Sequence, residues 1–358
     1  MRDFLLSAPT CAGGGMDRDV VLVTGAQYAR NVDGYPFPWR LPTDEAIGLR
    51  DRILKTLKDL RGASLGTCLL DAVDRDILLA LTERGLVEND AVSGLAGAFA
   101  FAHGGQETYN LHEADHLRLA HWVSGSGVRS VFDGLRLIEI GLDAVLGFAS
   151  SPRYGFLTSR LEEAGSGLLL SAQVFLPGIL QSGFIDRVAR GLLESGIEPH
   201  LNAGPASSTS PDALVGLSLH AKVGDDEDVL VERFENALRT LAGGERRTRE
   251  RLLVKERISL EDRTFRAVAV LRVARRLEFV ECLHLLSAVR AGLAWGLLAD
   301  GSSSTGGDLY AWLDTLRLFT HPAHIRLRAA ARGEPPSSQD INELRAALVH
   351  ESIPHYLI

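Results

Sequence analysis

The chain has 358 residues, 46% hydrophobic and 23% charged, with a formal net charge of −8. That composition excludes a collagenous, coiled-coil or largely disordered chain and suffices for one large domain or two ordinary ones. The acidic balance argues against nucleic acid as the main partner, because phosphate backbones are held by clustered Lys and Arg.

Cys11, Cys68 and Cys282 are far apart and odd in number, so no disulfide framework or CxxC metal pair is expected. A reducing cytoplasm is the expected location. The opening Met1-to-Pro9 stretch holds too short an apolar run for a signal peptide. No run approaches the ~18 apolar residues of a membrane span, so no membrane partner is expected.

In chain order, residues 1–19 read as an N-terminal extension with a Gly-rich stretch from Thr10 to Gly15. Val20-Val21-Leu22-Val23 reads as a short buried strand. Asp44 to Leu60 carries Ile47, Ile53, Leu54, Leu57 and Leu60 at helical spacing, and Leu70 to Arg84 predicts a second helix ending at Gly85. From Phe99 to Val174 the pattern mixes short strands with Gly-rich turns. Thr158-Ser159 and Leu168 to Val174 read as strands around a loop at Arg160 to Gly167. Phe184 to Ser195 is amphipathic and ends at Gly196. Gly204 to Pro211 is the most loop-like stretch.

Asp225 to Leu241 is helical by period, and Gly243-Gly244 predicts a break. Helices are then expected over Glu245 to Glu256, Leu260 to Arg276, Glu278 to Gly292, Leu309 to Phe319 and Ser338 to Glu351. The expected organisation is therefore an α+β part over 20–243 and an all-helical part over 244–358.

His112-Glu113-Ala114-Asp115-His116 matches H-E-x-x-H. On a helix, His112 and His116 would share a face and bind zinc while Glu113 polarised a water, making a zinc hydrolase. The preceding Thr108-Tyr109-Asn110-Leu111 favours a strand or turn instead, and two hydrogen-bonded structural histidines are the competing reading.

Several blocks in register give this segment a second context. Val21 to Asn31 (VLVTGAQYARN), followed by Pro36-Phe37-Pro38, is similar to the VLSSRIRLARN block and following FP of bacterial protein arginine kinases of the McsB type. These are relatives of creatine and arginine kinases. Leu81 to Val87 resembles LVEKHLIS, His112 to Arg118 falls where the family has NEEDHIR, and Tyr154 to Ser159 corresponds to RGYLTS. Gly165 to Leu168, then Leu176-Pro177, resemble GTGL and the LP after it, and Ile258 to Arg266 resembles IELEDRVYR. The resemblance implies a phosphagen-kinase-like antiparallel sheet flanked by helices, followed by an all-helical C-terminal domain that can form a homodimer. It also implies a reaction in which Mg·ATP donates its γ-phosphate to a guanidinium nitrogen.

Carried over position by position, the family's site is depleted. The two arginines of SSRIR are Gly25 and Gln27, and its second serine is Thr24. The arginine after GTGL is Leu169, followed by Leu170 and Ser171, and the later loop arginine falls near His200, with Pro205 near its glutamate. Arg118 retains the arginine of NEEDHIR and Glu113 its first glutamate, whereas the base position is Ala114. The substrate-loop cysteine is Arg160, followed by Leu161-Glu162-Glu163. Thr24, Arg118 and Ser171 are thus the remaining nucleotide-binding positions.

One arginine clamp on a transferring phosphoryl group is worth about 10³–10⁵ in rate. The expected function is accordingly a pseudokinase acting through other proteins, in a proteostasis or stress-response setting that rests on the resemblance alone. The alternative is an active arginine kinase with a remodelled cleft, drawing on Arg153, Arg160 and Lys222. The family's C-terminal phosphoarginine patch, roughly RDIRRAA, reads Gln339-Asp340-Ile341-Asn342-Glu343-Leu344-Arg345-Ala346-Ala347 here, where Asp340 also suits a helix's first turn. Arg246, Arg247, Arg249 and Arg251 read as a solvated helix face or a partner patch. Trp295 and Trp312 read as core or dimer surface, and Cys68 and Cys282 as inert core residues.

Overall fold

The computed structural model describes residues 1–88, 96–201, 213–298, 309–333 and 340–353. The expected loop from Gly204 to Pro211, the start of the last helix at Ser338 and the residue Gln339 lie outside them, as does the side chain of Cys11.

The strands are β1 (Val21–Arg30), β2 (Gly66–Leu69), β3 (Ala98–Ala102), β4 (Glu107–Leu111), β5 (Leu117–Ser124), β6 (Ser150–Ser151), β7 (Gly155–Phe156), β8 (Leu168–Phe175), β9 (Glu198–Leu201) and β10 (Leu214–His220). The first-part helices are α1 (Arg2–Leu6), α2 (Thr43–Arg61), α3 (Arg75–Glu83), α4 (Val128–Leu146), α5 (Pro177–Gln181) and α6 (Ile185–Glu194). They are followed by α7 (Glu227–Val273), α8 (Phe279–Ala294), α9 (Leu309–Phe319), α10 (Pro322–Ala331) and α11 (Ile341–Ser352). Eight strands form one sheet in the order β2-β3-β4-β5-β1-β8-β10-β9, and each neighbouring pair is antiparallel. This is the expected α+β sheet flanked by helices, with helices alone after it. None of the described helices is long and apolar enough to cross a membrane.

Alternation sorts the central strands into two faces. Ala26 and Tyr28 of β1, Tyr109 and Leu111 of β4, Leu117 and Leu119 of β5, and Leu168, Leu170 and Ala172 of β8 enter the main core with α2, α4 and the start of α7. Their neighbours at Gly25, Gln27, Thr108, Asn110, Arg118, Ala120, Trp122, Leu169 and Ser171 therefore lie on the opposite face.

Helix α2 forms where expected, with Asp44 and Glu45 in its first turn and Lys58 and Arg61 in its last, each sign suited to the helix dipole. Helix α3 begins five residues later than expected, because β2 and a turn precede it. Asp74 caps it by accepting from the Asp76 amide. It ends as expected at Gly85, at φ 68°, where the Gly85 and Leu86 amides reach back to Thr82 and Leu81 in a Schellman motif. The short strand at 20–23 extends in fact to Arg30, since β5 and β8 pair with it on both sides.

Thr158-Ser159 is not a strand. The Ser159 amide and hydroxyl are bound by Asp115 and the Ala114 carbonyl, leaving the segment no ladder partner. Helix α4 was absent from the expectation, although Val128, Val131, Phe132, Leu135, Ile138 and Leu142 make a buried helical stripe.

The break expected at Gly243-Gly244 does not occur. Helix α7 runs through it for 47 residues, and its single non-helical position is Glu256. Two helical glycines cost about 1 kcal/mol each, but the next residue, Glu245, is fully buried and ties α7 to α5 through the Gly178 and Ile179 amides. The C-terminal helices pack back on the first part. Leu22, Phe175 and Leu214 share a cluster with Leu252, Leu260 and Trp295, and Phe4, Leu81 and Phe99 share another with Ala323 and Leu327.

Candidate functional site

The open sheet face holds a cleft of about 680 Å³, lined by Gln27, Thr108, Asn110, Arg118, Ala120, Trp122 and Leu169 from the strands. Thr82, Gly85, Leu86, Val87 and Glu88 after α3, together with Glu113, complete its wall. The Schellman end of α3 turns the chain so that Leu86 to Glu88 cross beside β4, where Asn110 donates to the Leu86 carbonyl at 2.8 Å.

The five-residue HEADH segment is the turn of the β4–β5 hairpin, not a helix, so the geometry that a zinc-binding H-E-x-x-H requires is missing. His116 uses both ring nitrogens within the protein: the Val32 amide donates to Nδ1 at 3.1 Å, and Nε2 donates to the Pro36 carbonyl at 2.8 Å. No lone pair is left for a metal. The His112 ring lies edge-on to His116 with centroids 5.6 Å apart, and burial foremost, then His116, pushes its pKa down to about 4. Among the described residues no group of three or more His, Cys, Asp or Glu side chains could hold a metal ion. Asp115 accepts from Asn31 at 2.6 Å and from the Ser159 amide at 2.7 Å, and Asn31 accepts from the His116 amide at 2.9 Å. The motif is a knot binding the hairpin turn to the loops at 31–36 and 157–159.

Glu113 does face the cleft. Its carboxylate accepts from Asn110 at 2.8 Å and from the Glu88 amide at 3.4 Å, and burial, with the charge of Glu88 next, raises its pKa above the ordinary range. A carboxyl that holds its proton more tightly folded than unfolded penalises the fold progressively as pH rises above the unfolded value near 4.5, and in full once pH exceeds the folded value. Glu113→Gln, which still accepts from Asn110, is therefore expected to be more stable than the wild type at pH 8, the gain vanishing by pH 4.5. Urea unfolding at both pH values checks this, and a variant less stable at pH 8 contradicts it.

The three retained nucleotide positions separate. Thr24 is fully buried on the α4 side of the sheet and donates to the Gly125 carbonyl at 2.6 Å, so it does not reach the cleft. Ser171 lies on the cleft side with its hydroxyl buried and unpartnered. Arg118 lines the cleft, but its guanidinium is held by Glu163 at 3.2 Å and stands 4.0 Å from Glu88.

Where the resemblance would put arginines, Gly25 pairs across the ladder with Trp122, whose ring covers it so closely that a Cβ there would lie 2.2 Å from Cε3. The Trp122 indole N–H donates to Thr108 at 3.1 Å. Ala114 has no acid to offer at the base position. Near the later loop arginine position, His200 is hydrogen-bonded to Ser218 at 2.7 Å. Pro205 lies outside the described residues.

The compensating cations do not converge. Arg153 stacks over Tyr154 at 5.1 Å on the surface, Lys222 is exposed, and Arg160 faces Glu88 and Glu163. Gly167 needs no ligand to explain it: at φ 65° it passes so close to β1 that a Cβ would lie 2.9 Å from the Ala29 carbonyl. Asp340 caps α11 by accepting from the Asn342 amide and pairs with Arg276, while buried Arg345 donates to the Thr320 and Leu277 carbonyls. Arg246 and Arg249 bind Asp17 and Asp19, so this part of the basic run is internal rather than a free patch. Cys68 and Cys282 are buried free thiols, both pushed up by burial. Trp122 and Glu88 were not legible as site residues: one acts through a glycine opposite it, the other through a turn.

Towards phosphate, the described lining of the cleft offers one guanidinium, already paired, beside the carboxylates of Glu88 and Glu113, which repel it.

Residues 51–248 match the family described as ATP:guanido phosphotransferase, C-terminal catalytic domain, and residues 257–356 match the protein-arginine kinase McsB C-terminal domain. The chain is 28% identical over 342 residues to the protein-arginine kinase of Clostridium novyi (strain NT), covering 94% of this chain and 95% of that one. It is 25% identical over 345 residues to the protein-arginine kinase of Shouchella clausii (strain KSM-K16), covering 95% and 93%. Among solved structures, lombricine kinase superposes with TM-score 0.56 at 18% identity, over 67% of this chain and 71% of that chain. The substrate-free duplicated taurocyamine kinase from Schistosoma mansoni superposes with TM-score 0.55 at 20% identity. That match covers 65% of this chain, which spans 35% of the duplicated one. These likenesses show a phosphagen-kinase fold.

Proposed function

Because the chain belongs to the ATP:guanido phosphotransferase family, in its protein-arginine kinase branch, we propose that it is a pseudokinase that has given up phosphoryl transfer and acts by binding other proteins. The observation that carries this reading is the cleft's sheet face. Trp122 fills the space above Gly25, Gln27 and Leu169 carry no charge, and Arg118 is paired with Glu163. Phosphoryl transfer depends on preorganised positive charge around the phosphates, and removing several such contacts leaves little turnover even though their effects do not sum.

The partners we propose are other proteins, a second copy of the chain included. Val254, Ile258 and Phe265, exposed at helical spacing on α7, support such an apolar contact. The buried free thiols of Cys68 and Cys282 support a reducing cytoplasm.

The second reading, an active kinase of protein arginine with Mg·ATP as co-substrate, is favoured by relatives named protein-arginine kinase that match along 85% to 95% of their length. Incubation with Mg·ATP and an arginine-rich protein, followed by mass spectrometry for phosphoarginine, separates the two. No modification above background is expected. Time-dependent phosphoarginine supports the kinase instead.

A further inference from the structure

At the cleft wall, four charged side chains close into a ring of alternating sign. Arg118 of β5 lies 3.2 Å from Glu163 and 4.0 Å from Glu88. Arg160 lies 3.7 Å from Glu163 and 3.8 Å from the same Glu88. The members come from three separate pieces of chain: the central sheet, the turn after α3 and the loop after β7. Glu163 is 7% exposed and Arg118 15%, so the inner half of the ring is largely removed from water.

Isolated exposed pairs contribute about 0–1 kcal/mol, so the outer contacts of Arg160 and Glu88 give little reason for the ring as a stabilising device. Burying the Glu163 carboxylate has a desolvation cost, offset only by good partners. What the arrangement does achieve is geometric. Two guanidiniums face one common volume, and that volume is filled by carboxylate oxygens, which guanidinium forks bind in the same charge-assisted manner as phosphate oxygens.

We propose that Glu88 and Glu163 are internal ligands that mask an oligoanion site formed by Arg118 and Arg160, and that the ring is a latch holding the 157–164 loop against the cleft. The inference rests on the reading that the wild-type cleft does not grip phosphate, and it adds why the two remaining cations do not. The site takes a polyphosphate or another multiply phosphorylated group once both carboxylates are neutralised or displaced. Because the partners are ionic, binding weakens as salt rises.

The test is calorimetric titration of the full chain with inorganic tripolyphosphate at low ionic strength. Wild type is compared with Glu88→Gln/Glu163→Gln, and with the same double variant carrying Arg118→Ala. The double variant is expected to bind at least tenfold more tightly than wild type, with the gain lost at high salt and abolished by Arg118→Ala. A folded double variant, verified by circular dichroism, that binds no better than wild type overturns the latch. So does tightened binding that survives Arg118→Ala. If the double variant does not fold, Glu88→Gln alone carries the test, since its side chain is half exposed: a smaller gain of the same salt dependence is expected, and no gain counts against the proposal. Phosphoarginine formation by wild type is a separate readout. It sinks the pseudokinase reading without bearing on the Arg118 dependence measured here.

Discussion

Glu245→Ala is expected to destabilise the chain by about 3–5 kcal/mol, the usual consequence of removing one partner from a buried ion pair. Glu245 has no exposed surface, and its carboxylate accepts from Arg249 Nε at 2.7 Å and from the amides of Gly178 and Ile179 at 2.8 and 2.9 Å. Those amides open the short helix α5, so alanine leaves two buried donors without an acceptor. Arg249 keeps Asp19 at 3.0 Å, which limits the loss on that side. Glu245→Gln retains an acceptor oxygen and is expected to lose less. Urea denaturation of both variants gives the comparison. A Glu245→Ala loss below about 1 kcal/mol means that α5 and α7 do not depend on this anchor.

The second large effect concerns the cleft floor. Gly25→Ala puts a Cβ where the Trp122 ring already lies, 2.2 Å from Cε3, so the indole has to leave its place and its hydrogen bond to Thr108. Overpacking of this kind costs about 1–3 kcal/mol. In a Trp122→Ala background the clash is gone, and alanine in a strand is favoured over glycine by roughly 0.5–1 kcal/mol. The same substitution is therefore expected to change sign between the two backgrounds, the mark of two residues in direct contact. Equal destabilisation in both backgrounds contradicts the placement of Trp122. The consequence for function is direct: a side chain cannot return to position 25 while Trp122 covers it.

What was legible in the sequence was what local chemistry decides. The period of α2, the Gly85 stop and the strand at Leu168 to Val174 all hold. The sheet and the family were legible through ordered blocks from Val21 to Arg266. Helix α4 is a miss of a local pattern, since its helical stripe stands in the sequence; the other misses share one cause, distant partners that no local pattern displays. Gly243-Gly244 reads as a break because the amides that hold Glu245 lie 66 and 67 residues away. Thr24 reads as a nucleotide contact because the side of the sheet that it occupies is set by pairing with β5 and β8. Ala114 and Leu169 announce missing chemistry directly, whereas Trp122 closing over Gly25 needs the register of two strands. The HEADH segment is the reverse case, a loud motif whose Asp115 and His116 are spent on tying loops together.

Isothermal calorimetry of the wild-type chain with Mg·ATP at millimolar concentrations tests the central claim most directly. With Arg118 bound to Glu163, Trp122 over Gly25 and Glu88 and Glu113 at the rim, no saturable heat is expected. A saturable isotherm with Mg·ATP contradicts the account, because it requires phosphate contacts that this cleft does not offer.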